Sequence, residues 1–213
     1  MAKVKRTVDG SKYTGSAFAT WGVNFASGFV SAISCGLAYP AMKCWKMNYD
    51  AKHTFINGKQ LVFTGKAGEL FKKYIIWWLL SIVTLGIYAA FVMPVKLVQW
   101  EYQNTHFEGE NGESDFDGTA GQLIGLNIKT RLAVMFTLGI AGHWAAVKRM
   151  EFFYEHQIID GKRLSFIATS GDYRSATAKW GFLNLITLGI YSFWSTVKRK
   201  NWEMSYVTSE PVA

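Results

Sequence analysis

His53 and His156 each stand seventeen residues after a glycine that precedes a basic, aromatic-rich run. Two equivalent imidazoles could hold a metal ion or a haem across a pseudosymmetric interface. No carboxylates spaced to orient such ligands accompany them, so they are expected as helix residues at an interface. His106 occupies a different place in the pattern. His143, in AGHWAAVK, is the one readily titratable residue inside an apolar run. An ionisable group among apolar residues is a functional candidate. Its closeness to Lys148 favours a snorkelling or hydrogen-bonded histidine instead. The acidic cluster Glu108, Glu110, Glu113, Asp115 and Asp117 offers oxygen ligands but not EF-hand spacing, so a solvated loop is expected. Cys35 and Cys44 lack metal-type spacing and read as small buried residues. No GxSxG, P-loop, HExxH or CxxC pattern is present. The expectation is a non-enzyme with no catalytic, cofactor-binding or metal-binding residue.

The remaining candidates are cations beside indoles. Lys148 and Arg149 follow Trp144, and Lys198 and Arg199 lie between Trp194 and Trp202. Such pairs fit lipid head groups, with the amphipathic ring at the interface and the cation on phosphate. The net charge of +8 would also suit nucleic acid. Because Lys and Arg collect next to apolar blocks, membrane lipids are the expected partner and nucleic acid is not.

Those blocks are the elements that must position the candidates. Half of the residues are hydrophobic and 18% charged, yet mean hydropathy is only slightly positive, so the apolar residues are clustered. Uncharged runs of 30, 22, 16 and 18 residues separate Lys12 from Lys43, Lys73 from Lys96, Arg131 from Lys148 and Lys179 from Lys198. Roughly 20 apolar residues cross a bilayer core as a helix. Residues 84–88 and 187–191 read TLGIY and 137–141 read TLGIA. Their glycines and an earlier one, Gly36, Gly86, Gly139 and Gly189, fall 50, 53 and 50 residues apart. The spacing predicts pseudo-repeats at 16–69, 70–123, 124–177 and a truncated 178–213, all within a single membrane domain spanning 1–213. Each glycine is expected at a bend, with the threonine bonding back to the preceding turn. An aromatic follows at thirteen residues (Tyr49, Phe152, Trp202), or at fourteen for Trp100, whose copy carries one extra residue. Asn57-Gly58 and Asp160-Gly161, between alternating apolar positions, predict type I′ hairpins. The matching stretch 106–118 is acidic and glycine-rich, which predicts a distorted or extended hairpin.

The fold class expected is mainly α: a polytopic membrane protein of three to four pseudo-repeats, each an apolar helix, a glycine break and a basic aromatic helix, with small extramembrane β-hairpins. Lys plus Arg counts in alternate loops sum to ten and thirteen, which gives no positive-inside bias. A chain that bends at each TLG and returns is therefore favoured over four single crossings, with basic segments and hairpins together on the cytoplasmic side. The basic start MAKVKRTVDG resembles a signal peptide but runs into the first repeat, so it is expected to be retained.

The order F-x-G (63–65), G-E-L-F (68–71), apolar helix, T-L-G-I-Y (84–88), basic aromatic helix and N-T (104–105) resembles the YjgN-like family of bacterial inner-membrane proteins of unknown function. The resemblance implies a multipass protein of the inner membrane and carries over no catalytic residue. The aromatic Pro-Trp pair of the family is replaced by Phe193-Trp194 and His143-Trp144, and copy one keeps Tyr39-Pro40. Three activities are consistent with these observations. The first is a non-enzymatic pore, passive channel or membrane-complex subunit, working as a homo-oligomer or with partners. The second is a lipid-binding or lipid-handling protein, and the third, least favoured, a histidine-based metal or haem enzyme.

Overall fold

The computed structural model describes Val8 and residues 10–212. The basic start of the chain therefore lies almost wholly outside the described residues. The first half runs β1 (Lys12–Tyr13), α1 (Ala17–Ile33), α2 (Tyr39–Lys52), β2 (Thr54–Ile56), β3 (Lys59–Phe63), α3 (Ala67–Val83), α4 (Met93–Gln103) and β4 (Thr105–Phe107). The second half repeats that order with β5 (Asp115–Phe116), α5 (Ala120–Phe136), α6 (Gly142–Glu155), β6 (Gln157–Ile159), β7 (Lys162–Phe166), α7 (Ser170–Ile186), α8 (Ser192–Met204) and β8 (Val207–Pro211).

Four helical hairpins result, and the sequence shows why each turns. At the end of α3, α5 and α7 a threonine hydroxyl donates to the carbonyl four residues back, at 2.8 Å for Thr84, 2.7 Å for Thr137 and 2.7 Å for Thr187. The same oxygen accepts from a backbone N–H four residues ahead (Tyr88, Ala141, Tyr191), so one side chain ties both helices. Ser34 plays this part in the first hairpin, accepting from Ala38 N at 3.0 Å. The next residues, Cys35, Leu85, Leu138 and Leu188, sit at φ between 49° and 51°, followed by glycines at φ between 86° and 93°. Each glycine N–H closes a bond to the carbonyl five residues back, as Gly86 does to Ser81 at 2.7 Å. This is a Schellman-type stop, except that the first left-handed position, usually glycine, holds leucine or cysteine. The extra residue of the second copy is absorbed as a π-helical turn at Tyr88–Val92, the expected form of a one-residue insertion.

Three of the four first helices start on side-chain caps: Ser16 for α1, and the reciprocal pairs Thr119–Gln122 for α5 and Thr169–Asp172 for α7. Helices α2 and α6 end on histidine. His53 and His156 each place Nδ1 against the carbonyl four residues back (2.7 and 2.8 Å) and stack on Tyr49 and Phe152.

The strands form two antiparallel sheets, ordered β1-β2-β3-β4 and β5-β6-β7-β8. Asn57-Gly58 and Asp160-Gly161 turn the β2–β3 and β6–β7 hairpins with positive φ at both residues. Each turn side chain clasps the last strand of the other sheet. Asn57 Nδ2 donates to Ser209 O at 3.1 Å, and Phe107 N donates to Asp160 Oδ2 at 2.6 Å. One apolar core joins the sheets, with Ile56, Phe63, Trp100 and Phe107 from the first half and Ile159, Leu164 and Val207 from the second.

Three expectations are corrected. Residues 106–118 are not a hairpin. β4 and β5 belong to different sheets, and the segment between them joins the halves. Of its carboxylates Glu110 pairs with Lys59 and Lys162 and Asp117 with Arg163, while Glu108, Glu113, Asp115 and Asp117 are exposed, as in a solvated loop. Cys35 is exposed, and only Cys44 is buried. The polytopic inner-membrane expectation also fails. Among the described residues no helix is long and apolar enough to cross a membrane. The cause is the turn itself. The 22-residue uncharged run between Lys73 and Lys96 is cut at Thr84–Gly86 into separate helices. Each first helix has 17 residues, about 25 Å at 1.5 Å per residue. Lys129 and Arg131 interrupt α5, and Arg174 and Lys179 interrupt α7.

Candidate functional site

Every helical hairpin begins and ends at a sheet, so its turn (Ser34–Gly36 in the first, Thr-Leu-Gly in the others) points away from the sheets, the first tip lying beside Tyr74, Trp78 and Leu79 of α3. At the tips Leu85, Leu138 and Leu188 are 94%, 94% and 93% exposed. Ile87, Ile140 and Ile190 beside them are exposed as well, and so are the helix ends Ile33, Val83, Phe136 and Leu185. The apolar surface continues down α1 through Phe29, Phe25 and Phe18, and down α3 through Leu79, Trp78 and Ile76. A soluble monomer rarely shows contiguous apolar surface on this scale.

Leucine at a left-handed φ costs roughly 1–2 kcal/mol, which glycine would avoid and asparagine would reduce. Three leucines therefore sit where backbone strain and solvent exposure both disfavour them. Burial elsewhere does not explain them.

A charge pattern borders the apolar tips. Moving from the tips toward the sheets, the first formal charge is Lys43 on α2, Lys73 on α3, Lys96 on α4, Arg131 on α5, Lys148 on α6, Lys179 on α7 and Lys198 on α8. All are cations, and α1 carries no charge. They stand between seven residues (Lys43 after Gly36) and thirteen (Lys73 before Gly86) from the turn glycines. At 1.5 Å per residue this is a belt about 10–20 Å from the tips, against about 15 Å for half of a 30 Å hydrocarbon core.

Deeper, where α4, α6 and α8 approach the sheets, lies a charged interior. Copies one, two and four place a carboxylate directly after the aromatic, as Asp50, Glu101 and Glu203. Lys200 Nζ meets Asp50 at 2.5 Å and Lys43 Nζ meets Glu101 at 2.5 Å. Glu203 Oε1 accepts from the Tyr154 hydroxyl at 3.0 Å. Burial raises the Glu101 and Glu203 pKa above the ordinary carboxylate range, against the downward pull of neighbouring cations and, at Glu203, of Tyr154. For Lys43 burial pulls down and Glu101 pulls up, and the net direction is up. Burial also raises the phenol pKa values of Tyr102 and Tyr154.

Three cavities meet at Glu203. One, of about 260 Å³, lies over the sheets beside Tyr13, Asp50 and Lys200. A second, of about 380 Å³, is lined by Glu101, Tyr102, Arg149, Gln157 and Arg199. The third, of about 500 Å³, lies between α7 and α8 beside Trp180 and Asn184.

The sequence-derived candidates are dispersed. Lys148 Nζ pairs with Glu151 at 2.5 Å, and Lys198 Nζ lies 5.0 Å from the Tyr191 ring centroid. Trp194 is exposed and Trp144 half-buried, whereas Trp202 packs among Phe166, Tyr173, Trp180 and Tyr206 in the interior. Arg149 and Arg199 share the second cavity. Gly36, Gly86, Gly139 and Gly189 occupy the four tips. His143 is half-buried, its ring edge-on to Tyr173 with centroids 6.0 Å apart. His106 Nδ1 lies 2.8 Å from Asp160 Oδ1. No group of three or more His, Cys, Asp and Glu able to hold a metal occurs among the described residues. Sequence reasoning passed over the carboxylates Asp50, Glu101 and Glu203. Their repeated place after the aromatic was the available signal.

A family model described as a bacterial protein of unknown function, DUF898, matches residues 58–113 and 111–173. No curated protein and no solved structure matches the chain.

Proposed function

The chain belongs to the bacterial family of unknown function DUF898, the YjgN-like family that its motifs resemble, and we propose that it binds lipid, inserting its four hairpin tips into one leaflet without crossing it. The observation that carries this is the pairing of apolar tips with an all-cationic belt. The tips expose leucine and isoleucine, and the first charge below them is Lys or Arg on all seven helices that carry one. Apolar side chains gain about 25 cal/mol per Å² on leaving water. Each cation near an anionic surface adds about 1 kcal/mol. The belt depth of about 10–20 Å brackets the phosphate plane of a leaflet entered from one side.

Flotation with vesicles of anionic and of zwitterionic phospholipid tests the proposal. Purified protein is expected to float with both, more strongly with the anionic set, and the difference should shrink as salt rises. Protein that stays in the dense fraction, with its tips hidden by self-association on size-exclusion chromatography, overturns it.

A further inference from the structure

The interior charges are unevenly matched. Asp50, Glu101 and Glu203 hold the same place in their repeats, and the first two each have a lysine ammonium at 2.5 Å. Glu203 has no Lys or Arg nitrogen within 4 Å among the described residues. Its one hydrogen bond comes from Tyr154. It is nonetheless buried enough for desolvation to raise its pKa. The second cavity also carries the exposed guanidinium groups of Arg149 and Arg199, and among the described residues neither has a carboxylate within 4 Å. A single space of about 380 Å³ thus combines a carboxylate with no ion pair within 4 Å, on which Arg199 and Lys200 act from farther away, with two exposed guanidiniums.

The surroundings add two observations. Arg149 and Arg199 each stand ten residues after a tip glycine, about 15 Å along the helix, at the depth of the cationic belt. Between α7 and α8 the third cavity, of about 500 Å³, adjoins the second through Arg199 and Glu203. On its wall the Asn184 side-chain oxygen is buried without a donor among the described residues.

We propose that the cavity between α4, α6 and α8 binds an aminoalkyl phosphate, its phosphate held by Arg149 and Arg199 and its ammonium by Glu203. Guanidinium forks suit phosphate oxygens, and the ligand ammonium supplies at Glu203 what Lys200 and Lys43 supply at its two counterparts. The chemistry is that of phosphoethanolamine, free or as a phospholipid head group. In the second case the gap between α7 and α8 gives the acyl chains an exit. This site deepens the lipid-binding proposal but does not depend on tip insertion.

Calorimetry on the full chain in mild detergent tests it with O-phosphoethanolamine, inorganic phosphate and ethanolamine as separate probes. O-phosphoethanolamine is expected to bind at least about tenfold more tightly than either fragment, the scale of one charge-assisted contact. Glu203→Gln should abolish that preference over phosphate while phosphate still binds. Arg149→Gln with Arg199→Gln should abolish both. Equal affinities for O-phosphoethanolamine and phosphate in the unaltered protein, or a preference that survives Glu203→Gln, would overturn the site. Lysophosphatidylethanolamine below its micellar concentration separates the sources. Tighter binding than O-phosphoethanolamine assigns a lipid head group, and equal or weaker binding assigns the free compound. A chain carrying Leu85→Asn, Leu138→Asn and Leu188→Asn should keep O-phosphoethanolamine affinity even where vesicle binding is lost, so the two proposals fail separately.

Discussion

Replacing Leu85, Leu138 and Leu188 together by asparagine separates folding from lipid binding more cleanly than any other change. The three side chains are 93–94% exposed, so the fold loses almost no packing. Their φ of 49–51° is a conformation that asparagine tolerates and leucine does not, so the backbone is relieved by up to roughly 1 kcal/mol per site. On the lipid side, burying a leucine is worth about 1.5–3 kcal/mol. Three together give about 4.5 kcal/mol at the low end, or roughly three decades in partition at 1.4 kcal/mol per decade. The triple variant should therefore melt at or above the temperature of the unaltered protein while its vesicle partition falls at least a hundredfold. Flotation and a thermal melt on the same preparation measure both. A variant that melts normally and partitions within twofold of the original would refute tip insertion, because nothing else about the molecule would have changed.

The buried pair offers a second test. Lys43→Met should cost about 3–5 kcal/mol in urea denaturation by stranding Glu101, and adding Glu101→Leu should recover most of the loss. Stability should also depend on pH through Glu203. Its folded-state pKa is raised above the ordinary 4.5 by burial, so its favourable contribution is complete below that value and is lost as pH rises through the raised one. Melting temperature should fall from acid toward neutral pH, with a shallower slope in Glu203→Gln. Asp160→Ala removes the acceptor for Phe107 N and the partner of His106, and should destabilise by about 1–3 kcal/mol in the same urea assay. Insertion confined to one leaflet predicts that dye-loaded vesicles retain their dye at protein levels that saturate flotation. Rapid release would favour a pore.

What could be seen in the chain beforehand follows from which forces act locally. The TLG turns and the Asn57-Gly58 and Asp160-Gly161 hairpins were legible because positive φ and side-chain capping are decided within a few residues. The joining of β4 to β3 and of β5 to β6 was not, since the turn chemistry of residues 106–118 looks the same whether it folds back or bridges two sheets. Hydropathy summed across Thr84–Gly86 gives a run long enough to span, but the turn there divides it into two shorter helices. The role of Trp202 was misplaced for a related reason. Sequence proximity to Lys198 and Arg199 suggested a head-group belt, but at 3.6 residues per turn the indole points inward, onto Phe166 and Tyr206.

The duplication also explains where a specific site can arise. In both halves the second helices bring charges toward the same interior, yet the halves have diverged at the position ten residues after the turn. The third and fourth copies carry Arg149 and Arg199, and the first carries Lys46. In the second copy the inserted residue of the π-helical turn shifts the structural equivalent to Leu97. Asp50 and Glu101 are neutralised by lysines from other helices, α8 and α2, which ties the ring of helices together. Glu203 has no such tie, and α7 and α8 stand apart around a cavity at that point. This departure from the pseudosymmetry coincides with the carboxylate that, of the three after the aromatic, has no lysine within 4 Å, and with the two arginines. A ring built only for stability would gain by closing that gap. An opening that leads from the level of the cationic belt to a carboxylate and two guanidiniums facing one space is the arrangement that ligand entry requires.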